Sequence, residues 1–224
     1  MNLENLKAEA ARRAVEYVKS GMRVGLGTGS TARHAILEIA RKLKTGELEN
    51  ITGVATSVES ENLARENGIA VEDLSSQAID LAIDGADEIA PNLDLIKGLG
   101  AALLREKLVE LQAKEFIVVA DYTKLVNRLG EKVSLPVEIV RFGFESTIAR
   151  IAKFGEPVLR RKNGEIVVTD NGNFIADLRF STTDAAMLAQ TLKQITGVVE
   201  TGFFIRLATR AIVAFEREVR EFTR

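Results

Sequence analysis

With 224 residues, 46% of them hydrophobic, the chain can build one sizeable domain or two unequal ones. Its 30 basic and 32 acidic residues leave a formal net charge of −2, which gives no reason to expect nucleic acid or an anionic membrane as a partner. With 0 Cys and 1 His, disulfides and thiolate or His-rich metal sites are excluded and a His-centred triad is disfavoured, so acid–base work falls mainly to Asp, Glu and Lys. No long apolar run and no signal-peptide pattern occurs, and a cytoplasmic protein is expected.

Leu3, Leu6, Ala10, Ala14, Val15 and Val18 recur at helical spacing, and Gly21 supplies a stop. A short strand over 22–25 runs into Gly25-Leu26-Gly27-Thr28-Gly29-Ser30-Thr31 and a helix over 32–43. A second strand is predicted over 51–55, a helix over 59–67 ended by Gly68, and a short extended piece over 69–71. The apolar run 78–83 reads as a buried strand with Asp84 at its carboxyl end, followed by a helix over 101–111 and a strand over 116–120. Strands alternating with helices imply an α/β, doubly wound, mostly parallel sheet of Rossmann-like kind.

The pattern changes after residue 129. A strand over 135–140 and a helix over 145–154 precede antiparallel strands over 158–161, 165–169 and 173–178. Asn163-Gly164 and Asp170-Asn171-Gly172-Asn173 are hairpin signals between them. A helix over 183–194, with Thr182, Thr183 and Asp184 as N-cap candidates, leads to a last strand over 201–205. This order suggests a small α+β module of the split βαβ, ferredoxin-like type. A strand over 211–215 and a charged tail helix are expected to return to the first sheet. The predicted division is therefore 1–129 with 207–224 as the Rossmann-like catalytic domain, and 130–206 as an inserted module suited to oligomerisation.

Four places carry chemistry. The loop Gly25–Thr31 joins a strand to a helix; its glycines let backbone N–H groups approach an anion, and the helix dipole adds positive charge. It lacks the lysine of a P-loop and the third glycine of a dinucleotide fingerprint, so phosphate is favoured over a nucleotide, with a tight capped turn as the plain alternative. Asp84-Gly85-Ala86-Asp87-Glu88 puts two acids at a strand end, where α/β sheets bind ligands. With a lysine nearby they suit proton shuttling better than metal binding, although Asp84 could simply cap a turn. Lys97-Gly98-Leu99-Gly100 is a second glycine loop opening a helix, and Lys97 is there either an oxyanion partner or an exposed cation. On that helix Arg105, Lys107 and Glu110 are expected on a solvated face, and position alone leaves Glu106 open. Lys124, just past the strand over 116–120, could reach a phosphate or remain a surface lysine. His34 reads as a packing or surface residue.

The blocks Gly27–Ala32, Asp84–Glu88, Lys97–Ala102, Arg105-Glu106-Lys107, Val118–Asp121 with Lys124, Thr169–Asn173 and Glu200-Thr201-Gly202 together resemble the ribose-5-phosphate isomerase type A family, in order and over nearly the whole chain. The resemblance implies interconversion of ribose 5-phosphate and ribulose 5-phosphate, in the non-oxidative pentose phosphate pathway, without cofactor or metal. It implies Glu106 as general base, with Lys97, Asp84 and Asp87 as further catalytic groups. It places Thr28, Gly29, Ser30, Thr31, Asp84, Gly85, Ala86, Asp87, Lys97, Gly98, Leu99, Gly100 and Lys124 against the sugar phosphate, and implies a homodimer or homotetramer. Leu99 departs from the family pattern, which has glycine there; a positive φ at that position would strain it. Two other readings use the same blocks less fully. A non-catalytic sugar-phosphate sensor needs the phosphate loop but neither Glu106 nor Lys97, and an acyl-CoA transferase half would want a nucleophilic glutamate and a larger partner domain.

Overall fold

A computed structural model describes residues 2–224. In chain order its elements are α1 (Leu3–Val15), β1 (Arg23–Leu26), α2 (Ser30–Thr45), β2 (Thr52–Ala55), α3 (Val58–Glu66), β3 (Ala70–Val71) and β4 (Ile79–Gly85). There follow β5 (Glu88–Ile89), β6 (Leu95–Ile96), α4 (Leu103–Leu111), β7 (Ala113–Asp121), β8 (Leu135–Ile139), α5 (Phe144–Ile151) and β9 (Glu156–Leu159). The chain continues through β10 (Arg161–Lys162), β11 (Glu165–Ile166), β12 (Phe174–Arg179), α6 (Ala185–Lys193), β13 (Val198–Thr201), β14 (Phe203–Phe204), β15 (Arg210–Ala214) and β16 (Val219–Thr223). The chain forms two compact units; the smaller comprises Asp87–Leu104 and Leu125–Ile205, the larger the remainder.

The larger unit holds a seven-stranded sheet in the order β16-β15-β7-β4-β1-β2-β3. Every pairing in it is parallel except β15 with β16. Read from β3 to β15, this is the doubly wound order whose winding reverses between β1 and β4, so a ligand crevice belongs at the carboxyl ends of those two strands. Leu6, Ala10, Ala14, Ile36, Ile39 and Leu63, from α1 to α3, pack with Val24, Leu26, Leu81, Ile83, Ile117 and Val119 of the strands. Val109 of α4 packs with Val54 and Ile79 in a separate cluster. Helices thus cover both faces, which is why Phe116–Asp121 of β7 is buried without alternation.

The smaller unit carries a four-stranded antiparallel sheet, β13-β8-β12-β9, with α5 between β8 and β9 and α6 between β12 and β13. That is the expected ferredoxin-like arrangement. Leu135, Val137, Ile139, Ile151, Phe174, Leu178, Leu188 and Leu192 form its core. Asn163 and Gly164 both adopt positive φ (54° and 86°), as a type I′ hairpin requires. The Asp184 side chain accepts from the Met187 N–H and caps α6.

Two expectations are corrected. Residues 87–104 and 125–129 belong with the smaller unit, because β6 pairs with β5 on one side and with β14 on the other, and Ile89 bridges to Leu125. The charged tail is strand β16 rather than a helix: Glu221 accepts from Arg13 Nε at 2.8 Å, Tyr17 Oη at 2.7 Å and Arg210 Nη1 at 2.9 Å, and these tertiary bonds override the weak local preference of Glu218–Phe222.

Candidate active site

In the larger unit the strand ends at the winding reversal meet directly. The Gly27 N–H donates to Ile83 O at 3.0 Å, which holds the loop after β1 against β4. A Cβ on Gly27 would stand 2.2 Å from Asp84 Cγ, so only glycine leaves room for this carboxylate. Asp84 is 1% exposed, and its Oδ1 accepts from the N–H of Thr28 at 3.0 Å and of Gly85 at 2.6 Å. Thr31 stands over Gly85, its Cβ 4.0 Å from where a Gly85 Cβ would be. Gly29, at φ 97°, precedes α2, and no side chain caps that helix. The positive end of its dipole is therefore presented at exposed Gly29 and Ser30, the arrangement that binds anions.

The Thr28 hydroxyl faces inward. It lies 2.7 Å from Thr56 Oγ1 and donates to Ser57 Oγ at 2.8 Å, while Ser60 Oγ donates to Gly27 O at 2.6 Å and Thr56 Oγ1 to Leu26 O at 3.1 Å. These hydroxyls fix the loop after β1 from behind. The sequence reading missed Thr56, Ser57 and Ser60; the signal was a Thr-Ser pair immediately after β2, at the same edge of the sheet.

Val109 of α4 lies against Gly25 and Ala82. Glu106, three residues earlier, shares that face and is 4% exposed. Because α4 returns antiparallel to the strands it connects, its first turn lies at their carboxyl ends, the end occupied by Gly27 and Asp84. Glu110 is 3% exposed, which corrects the expected solvated position: it falls one turn beyond Glu106 on the same inward stripe. Lys124 closes a single helical turn, Tyr122–Lys124, folded by buried Asp121, which accepts from the Thr123 N–H at 3.0 Å and from its hydroxyl.

The smaller unit holds the other expected residues. The Asp87 N–H donates to Ile96 O at 2.8 Å, and Asp87 Oδ2 accepts from the Leu99 N–H at 2.9 Å. The Lys97 N–H donates to Gly202 O at 2.9 Å, which gives Glu200-Thr201-Gly202 a place beside the lysine loop. The Lys97 side chain is only 2% exposed, with Nζ 5.3 Å from the centroid of the Phe204 ring. Gly98 has φ 110°, and a Cβ there would lie 2.8 Å from Leu103 Cδ2, so this glycine is required twice over. Buried Glu88, also missed in sequence, accepts from the backbone N–H groups of Gly130 at 2.6 Å, Lys132 at 2.5 Å and Val133 at 2.9 Å. Thr169–Asn173 is anchored elsewhere in the unit: Thr169 Oγ1 and Asn173 Nδ2 donate to buried Glu138 at 3.0 and 2.8 Å.

The family model for ribose 5-phosphate isomerase A (phosphoriboisomerase A) matches residues 52–218. The chain belongs to this family. A ribose-5-phosphate isomerase A of Deinococcus radiodurans is 57% identical, covering 100% of both chains. A probable chloroplastic ribose-5-phosphate isomerase 3 of Arabidopsis thaliana is 47% identical over 100% of this chain and 85% of its own. Among solved structures, a D-ribose-5-phosphate isomerase in complex with phospho-erythronic acid superposes with a TM-score of 0.97, at 41% identity and 100% coverage of both chains. The ribose 5-phosphate isomerase of Plasmodium falciparum gives 0.96, at 38% identity and 99% coverage of both. Within this isomerase family Leu99 is accommodated without strain. Positive φ falls on Gly98 and on Ala101 (60°), not on Leu99, whose side chain is exposed. Among the described residues no helix is long and apolar enough to cross a membrane.

Proposed function

We propose that this chain interconverts ribose 5-phosphate and ribulose 5-phosphate by proton transfer through a cis-enediolate, with Glu106 as the base. Glu106 takes the C2 proton of the open-chain aldose and returns it to C1. The Lys97 ammonium stabilises the oxyanion that develops on the carbonyl oxygen. Asp84, held by two backbone N–H groups, moves the proton between O1 and O2 and assists ring opening, and Asp87 holds sugar hydroxyls. The α2 N-terminus at Gly29–Thr31 takes the 5-phosphate with help from Lys124. Phospho-erythronic acid, the ligand of the similar isomerase, carries two carboxylate oxygens on a phosphorylated chain, as an enediolate carries two adjacent oxygens. We further assign a cytoplasmic homo-oligomer, in line with the family resemblance.

The observation that carries this reading is the burial of Glu106 in the first turn of α4, on the face turned to the sheet. A carboxylate that only decorated a helix would lie on the solvent side, and a sugar-phosphate sensor needs none there. Base and oxyanion donor are worth about 10²–10⁴-fold and 10²–10³-fold. Glu106→Gln keeps size and removes basicity. It should preserve substrate binding, lower kcat by at least about 10²-fold and abolish exchange of the C2 hydrogen with solvent. Exposed Glu115 serves as the internal control, and Glu115→Gln should leave turnover intact. Near-normal turnover with exchange in Glu106→Gln would transfer the base role to Asp84 or Asp87.

A further inference from the structure

The lysine loop has no regular structure of its own. Gly98 and Ala101 both lie at positive φ, and the Ala101 N–H donates to Gly98 O at 3.0 Å. The loop is also held from outside. Two of its carbonyls converge on one side chain: Arg160 Nη1 donates to Gly98 O at 2.7 Å and to Leu99 O at 3.0 Å. The same guanidinium is fixed in its plane by Asp177, Nε donating to Oδ2 at 2.8 Å and Nη2 to Oδ1. Asp177 belongs to β12, and the Arg160 N–H donates to Ile175 O at 2.8 Å, so backbone register sets the pair diagonally across neighbouring strands. The Arg160 side chain is only 11% exposed, so solvent cannot take over these bonds.

We propose that Arg160, clamped by Asp177, is a positioning residue for the isomerisation. It ties the Gly98–Leu99 backbone, directly after Lys97, to the antiparallel sheet and thereby sets where the Lys97 ammonium points. The planar fork of arginine is what the place requires: one edge reads the Asp177 carboxylate and the remaining nitrogen bridges two carbonyls. Lysine, with a single ammonium, cannot do both. The inference rests on the role given to Lys97 under the proposed function, and it adds a residue outside every motif block of the resemblance.

The test compares Arg160→Ala, Arg160→Lys, Lys97→Ala and the Arg160→Ala/Lys97→Ala pair with ribose 5-phosphate. A misplacement of an ångström at a catalytic group costs about 10²-fold, so Arg160→Ala should lower kcat by about 10- to 100-fold with KM within about twofold of wild type. Added guanidinium should restore part of that loss, which an unspecific loss of structure would not allow. In the Lys97→Ala background, Arg160→Ala should change kcat by less than about twofold, because the group it positions is gone. If Arg160→Ala does not accumulate as folded protein, Arg160→Lys carries the test and should show the same kcat-selective loss. Wild-type kcat in the Arg160 variants beside an impaired Lys97→Ala overturns the positioning role alone. An undiminished Arg160 effect in the Lys97→Ala background does the same. Wild-type kcat in Lys97→Ala overturns the reading of the lysine and the inference with it.

Discussion

Gly27→Ala is the sharpest probe of the larger unit's geometry. The added methyl would lie 2.2 Å from both Cγ and Oδ1 of Asp84 and 2.5 Å from its Cβ, against a floor near 3.0 Å for real contacts. At least 0.8 Å (3.0 minus 2.2) of separation must therefore be created. Asp84 is 1% exposed and held by the N–H groups of Thr28 and Gly85, so the carboxylate cannot step aside without breaking them. Overpacking of this kind typically costs about 1–3 kcal/mol of stability. A displacement approaching an ångström at a reacting group costs up to about 10²-fold in rate. Steady-state kinetics with ribose 5-phosphate should show kcat lowered by about 10- to 100-fold, and thermal unfolding should show a folded protein of reduced Tm. In an Asp84→Gly background the methyl meets neither the carboxylate nor Cβ, so Gly27→Ala should then change kcat by less than about twofold. A Gly27→Ala variant with wild-type kcat, or one whose loss persists undiminished in Asp84→Gly, would refute the reasoning.

Thr31→Ala, at the uncapped start of α2, should raise KM more than it lowers kcat, since phosphate contacts act alike on ground and transition states; an unchanged KM would count against that phosphate site. Turnover should survive excess EDTA, because a chain with 0 Cys and 1 His assigns its proton transfers to carboxylates and lysine; activity lost to EDTA and restored by added divalent metal would sink that view. The Arg23 N–H and the Lys114 ammonium hold Asp80 below the ordinary aspartate pKa of about 3.9, so its contribution to stability is full above that value and is lost as pH falls through the lower folded-state pKa. Acid unfolding of Asp80→Asn should accordingly show a shallower dependence on pH below about 4 than wild type, and identical slopes would remove Asp80 from the account.

The alternation of strands and helices, the Asn163-Gly164 turn and the Asp184 cap were legible because each follows from local chemistry. The doubly wound, mostly parallel character of the larger unit's sheet was legible too, since a βαβ run has few ways to wind. What escaped the sequence depends on partners far along the chain. β5 and β6 are two residues each, and β6 gains its second partner only from β14, more than a hundred positions on in the numbering, at Phe203 and Phe204. Glu110 carries the same charge as a solvated helix residue, and only the packing of Val109 reveals that its face is turned inward. Glu88, Ser60 and Arg160 bind backbone atoms of remote loops, so no spacing in the sequence announces them. Asp84 and Lys97 stood out as candidates because carboxylate, ammonium and glycine crowd loop ends there, whereas Glu106 became a candidate only through the family resemblance.

The placement of β15 between β7 and β16 has a consequence for synthesis. β7 is paired on one side by β4, but its other edge, lined by buried apolar residues, waits for Arg210–Ala214. Roughly 90 residues separate Asp121 from Arg210, so at a ribosomal rate of about 5–20 residues per second that edge stays open for about 5–18 s. A nascent chain stalled before residue 210, or one truncated there, would carry an unsealed strand able to recruit another chain by edge pairing. Chaperone dependence should therefore peak late in translation, and fall once the last two strands have emerged.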